Sequence, residues 1–214
     1  MNLFDYVFYL CMIIVLGYFI SELISFNKPT KVTESFFGRT NKNDVPASGH
    51  LKDVKPVIYS VNHKNESHKY LLRDYYIYTS YSSPNVGNFK DTNVSMDQIK
   101  ELIRLGVRVI DLEVFTVDGK PVFASSNSKN VYEKKSYNHL EVADTLQTIR
   151  NFAFSSGTCN NYDDPLIIHY RLRTRNRDTI DKLATITNEI MGNKLLGHKH
   201  GFENHGKSLG SVPL

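Results

Sequence analysis

The sequence predicts an α/β domain, a parallel sheet with surrounding helices, behind a single N-terminal transmembrane helix. Three observations predict it. An apolar run fills residues 6–25. Beyond residue 69, β-rich and helix-periodic segments follow as strand, helix, strand, hairpin, helix, strand, helix. That order calls for parallel strands joined by right-handed crossovers. The chain has two cysteines, Cys11 in the apolar run and Cys159 in a polar loop, which excludes a disulfide framework and favours a reducing compartment.

Residues 1–26 read as the anchor. Tyr6 to Ser25 is YVFYLCMIIVLGYFISELIS, and a helix of that length spans roughly 30 Å, the thickness of the hydrocarbon layer. Tyr6, Tyr9, Tyr18 and Phe19 suit the interfacial belts. A cleaved signal peptide fits poorly, because no basic residue precedes Tyr6 and Ser21-Glu22-Leu23 is a poor cleavage site. Lys28, Lys31, Arg39 and Lys42 follow the span, which puts the folded part on the cytoplasmic side. Residues 27–68 read as a polar linker, punctuated by Pro29, Gly38, Pro46, Gly49 and Pro56. Val57–Val61 is expected as an extended piece against the domain edge. The net charge is +4, and the anchor contributes only Asp5 and Glu22. The basic remainder suits an anionic lipid surface or an acidic protein partner, and equally an ordinary soluble domain. Asn65-Glu66-Ser67 and Asn93-Val94-Ser95 fit the glycosylation pattern, which alone does not argue for secretion.

Residues 69–214 form the expected domain. Tyr75–Ser80 is an aromatic β-run. Ser95 opens a helix as N-cap, with Gln98 completing a capping box and Gly106 closing it. Met96, Ile99, Leu102 and Ile103 give that helix its apolar face. Val107–Phe115 alternates as a strand, with Asp111 and Glu113 on one face and Ile110, Leu112 and Val114 on the other. Asp118-Gly119 turns it tightly into Pro121–Ala124. Leu140–Phe154 is a helix with Val142, Leu146, Ile149, Phe152 and Ala153 on its core side. Leu166–Tyr170 is a short buried strand, and Ile180–Leu196 a third helix. His169, inside the buried strand, reads as a packed core residue.

The charged residues leave alternatives open. Asp111 and Glu113 share a face, as a remnant metal site or as two acids satisfied by Arg171 and Arg173. Arg171, Arg173, Arg175 and Arg177 alternate, as an anion-binding strip or as a solvated basic loop. His198, His200 and His205 have no cysteine or carboxylate at diagnostic spacing and read as loop residues. No nucleic-acid motif stands out.

The motifs, taken together, resemble the X region of phosphoinositide-specific phospholipase C over about Leu71–Leu214. They are the Ser-rich turn after the first strand, Val-Arg-Val-Ile-Asp-Leu-Glu from Val107 to Glu113, and Asp-Gly-Lys-Pro-Val from Asp118 to Val122. Asn151-Phe152-Ala153-Phe154 and Pro165-Leu166-Ile167-Ile168 complete the set. The resemblance implies a distorted TIM barrel, here partial, with its site at the C-terminal strand ends. It also implies cleavage of phosphatidylinositol lipids by two histidines and a Ca2+ held by an Asn and three carboxylates.

At the matching positions this chain differs. Tyr81 stands where the first histidine belongs and Ser82 where the calcium-binding Asn belongs. Asp111 and Glu113 keep the acids of the second strand, each exchanged for the other. Ser125 stands at the second histidine and Arg171 at the last calcium carboxylate. The expectation is a phospholipase C X-like domain without catalytic residues and without a cofactor, Ca2+ entering only where the family site is retained. Its role is then structural, or the holding of anionic lipid head groups by Arg171, Arg173 and Arg175, at a membrane. Large DNA viruses carry membrane-anchored proteins that look like this, so the resemblance extends to a virion surface. Two other readings stay open. One is an active phosphodiesterase using Asp111, Glu113, Arg171 and His169. The other is a module whose half-barrel is completed by a protein partner.

Overall fold

A computed structural model describes residues 45–61, 70–87 and 91–196, together with Met12. The chain divides into two units, residues 1–39 and 40–214. The expected anchor lies outside the described residues apart from Met12, and so do most of the linker and His198, His200 and His205. No helix among the described residues is long and apolar enough to cross a membrane.

The second unit is built on one five-stranded sheet. Its strands are β1 (Thr79–Ser80), β2 (Val109–Val117), β3 (Lys120–Ala124), β4 (Leu140–Glu141) and β5 (Ile167–Leu172). Its helices are α1 (Gly49–Lys52), α2 (Met96–Arg104), α3 (Val142–Ala153) and α4 (Arg177–Met191). β2 is the central strand. Val109 and Ile110 pair in parallel with both β1 and β5. Glu113 and Val114 pair with both β5 and the antiparallel β3. β1 and β3 therefore follow one another along one edge of β2, and β5 runs along the other. The sheet is mixed rather than all parallel, because the Asp118-Gly119 turn returns the chain directly as a hairpin. The result is a half-barrel with helices on its outer face.

That outer face carries the core. Ile110, Leu112 and Val114 of β2 are fully buried with Ile99 and Ile103 of α2, Leu146 and Ile149 of α3, and Leu183 of α4. The inner face carries Phe115, Val122 and Ala124 in a smaller cluster, beside Asp111 and Glu113.

Local chemistry sets the element ends. Ser95 caps α2, its Oγ accepting the Gln98 amide at 3.2 Å. Only half of the expected capping box forms. Gln98 turns its side-chain oxygen to the Ser48 amide at 2.8 Å, and the Ser95 amide bonds the Pro84 carbonyl at 2.7 Å instead. Gly106, at φ +93°, ends the turn after α2. α4 is capped by Asn176, whose side chain accepts from the Thr179 amide.

Several expectations change. Only Thr79 and Ser80 of Tyr75–Ser80 pair as a strand, since an extended run needs a neighbour to become a ladder. The α3 helix begins at Val142 rather than Leu140, because Leu140 and Glu141 pair with β3. Phe152 is only partly buried. α4 spans Arg177–Met191 rather than Ile180–Leu196. β5 is not a buried strand. Among the described residues it pairs with β2 alone, with Ile167 and Leu172 exposed and Ile168 and Tyr170 packed on the core. Residues 45–56, expected within the linker, pack on the domain as well as the expected Val57–Val61. Ser95 donates to the Val45 carbonyl, Arg104 to the carbonyls of Leu51 and Val54, and the Val61 amide to Asp164.

Candidate functional site

Parallel register assembles the site. Asp111 lies opposite His169 and Glu113 opposite Arg171, so alternation puts His169, Arg171 and Arg173 on the inner face with both acids. β1 ends beside them, and its turn, Tyr81-Ser82-Ser83, wraps over Asp111. The Ser82 amide bonds Asp111 Oδ2 at 2.8 Å. Ser83 exchanges two bonds with the Asp111 backbone, both 2.9 Å. Ser82 sits at φ +44°, a conformation that asparagine adopts more readily than serine. Its Oγ lies 3.0 Å from that of Ser125, at the end of β3. Both serines are buried.

Arg171 occupies the centre. Its Nε donates to both Asp111 oxygens at 2.9 Å. Its Nη2 lies 2.7 Å from Asp111 Oδ2 and 2.8 Å from Glu113 Oε1, at ion-pair distance but without a well-directed hydrogen bond. Nη1 donates to the Tyr81 hydroxyl at 2.9 Å, and the guanidinium carbon is 4.2 Å from that ring's centre. Arg173 Nε donates to Glu113 Oε2 at 3.1 Å.

The electrostatics follow from these contacts. Glu113 is 1% exposed. Burial pushes its carboxyl above the usual range, more than the charges of Arg171 and Arg173 pull it down. For Arg171 burial acts downward, but the bond to Asp111 and the charges of Glu113 and Asp111 outweigh it and hold the guanidinium above its ordinary value. Both arginines of the cluster are already paired with its acids.

All six family positions, Tyr81, Ser82, Asp111, Glu113, Ser125 and Arg171, meet at this one place. Arg173 joins them. Arg175 does not, since its guanidinium lies 4.9 Å from the Tyr132 ring centre and off the acid cluster. Arg171, Arg173 and Arg175 therefore do not form one open strip. His169 is the residue that sequence reasoning misplaced. Its side chain is 61% exposed, and its Nδ1 lies 2.8 Å from Asp111 Oδ1. Its spacing two residues before Arg171 carried the signal.

A calcium ion takes six to eight oxygen ligands. Between Asp111 and Glu113 it would need the place that Arg171 Nη2 holds. The residues present do not fit the ion. Among the described residues no three His, Cys, Asp or Glu side chains group as metal ligands.

A half-barrel whose polar residues gather on the inner face, toward the C-terminal ends of parallel strands, defines a TIM-barrel-like α/β protein. Residues 68–211 match the family described as phosphatidylinositol-specific phospholipase C, X domain. The chain belongs to that family. Among solved structures, PLC21 of S. officinalis is 20% identical, with a TM-score of 0.46 over 58% of this chain and 14% of its own. PLC21 of L. pealei is 18% identical, with a TM-score of 0.47 over 59% of this chain and 15% of its own. The chain thus spans about one seventh of the length of those proteins. A search of curated proteins found no match.

Proposed function

We propose that this X domain does not hydrolyse lipid and serves at a membrane as a structural or protein-binding element, carried there by the apolar run Tyr6–Ser25. One observation carries the reading: Arg171 fills the space between Asp111 and Glu113 and is covered by Tyr81. A substrate phosphate would have to displace Tyr81 and compete with two carboxylates for the guanidinium. The positions where the family places its histidines hold Tyr81 and the buried Ser125, whose hydroxyl meets that of Ser82. A phenol is a poor base at neutral pH, and a serine hydroxyl moves no proton on its own. The edge of β5, which pairs with β2 alone among the described residues, gives a protein partner a place to pair.

A second reading is favoured by His169. In the tautomer that protonates Nδ1, it donates to Asp111 and presents its other nitrogen to solvent as a base, beside Arg171. That arrangement would serve a metal-independent phosphodiesterase.

The full chain, assayed on phosphatidylinositol in mixed micelles with calcium or with chelator, separates the readings. No inositol phosphate in either condition is the expected result. Turnover that survives chelation and falls roughly 10²–10⁴-fold in His169→Ala would establish the second reading instead. Calcium-dependent turnover would mean that Arg171 leaves the acids in solution.

A further inference from the structure

We draw no further inference here: the strongest candidate, the tyrosine-lined cleft of about 180 Å³ at the N-terminal ends of β1, β2 and β5, carries none because nothing in the structure shows what covers it.

Discussion

The two faces of β2 are buried to the same degree by different means. On the helix side Ile110, Leu112 and Val114 disappear into an apolar core. On the inner side Asp111 and Glu113 are almost as inaccessible, at 4% and 1% exposure, yet they end in charges. The apolar face is stabilised by area removed from water and by close packing, contributions spread over many neighbours. The charged face depends on a few named partners. Arg171 serves both acids, Arg173 serves one, and the Ser82 amide serves Asp111. A core residue can be trimmed and leave a cavity. A partner lost from the inner face leaves a buried charge.

Breaking each face tests this difference. Arg171→Ala leaves two carboxylates buried side by side and is expected to destabilise the domain by about 3–5 kcal/mol. Leu112→Ala is expected to cost about 2–5 kcal/mol through lost transfer energy and a residual cavity. The two respond differently to further change. Adding Asp111→Asn and Glu113→Gln to Arg171→Met removes the uncompensated charges and should regain most of the loss. No polar change on the inner face should rescue Leu112→Ala. Urea unfolding of the full chain in micelles reads both. If the triple variant is no more stable than Arg171→Ala, the inner face is not held by charge pairing.

The charged face also carries a pH signature that the apolar face lacks. The folded chain holds the Glu113 proton more tightly than the unfolded chain does. Between the ordinary glutamate range and its raised value, the folded state keeps a proton that the unfolded chain has released. Stability therefore falls as pH rises through that window, and the favourable contribution is complete only below it. Glu113→Gln should flatten this part of the stability profile, and Leu112→Ala should shift the whole profile without changing its slope. A Glu113→Gln profile parallel to the unmodified chain's would show that Glu113 does not titrate there.

The sequence shows one face more clearly than the other. Alternation in Val107–Phe115 assigns Ile110, Leu112 and Val114 to the core, because burial against helices selects apolar side chains at every second position. The same alternation puts Asp111 and Glu113 together and says nothing about what neutralises them. That depends on which strand lies beside β2 and in what register, a non-local fact. Once β5 is placed in parallel register, His169, Arg171 and Arg173 fall into line. Before that, His169 reads as one more residue of an apolar run. The hairpin was legible from Asp118-Gly119, since local turn chemistry needs no partner. The edge position of β5 was not, because Leu-Ile-Ile reads alike in a central strand and in an edge strand that packs only one side.

The turns that bound β2 sharpen the comparison on a smaller scale. Both use a glycine at positive φ, +93° at Gly106 and +71° at Gly119. A β-carbon at Gly106 would stand 2.9 Å from the Ile58 side chain, whereas one at Gly119 would meet nothing within 4 Å. Gly106→Ala must therefore pay for both conformation and overlap, about 1–2 kcal/mol for the first and roughly 1–3 kcal/mol for the second. Gly119→Ala meets the conformational cost alone, about 1–2 kcal/mol. Thermal melts of the two variants should fall in that order. Equal losses would mean that residues 57–61 move aside freely and are only loosely held against the sheet.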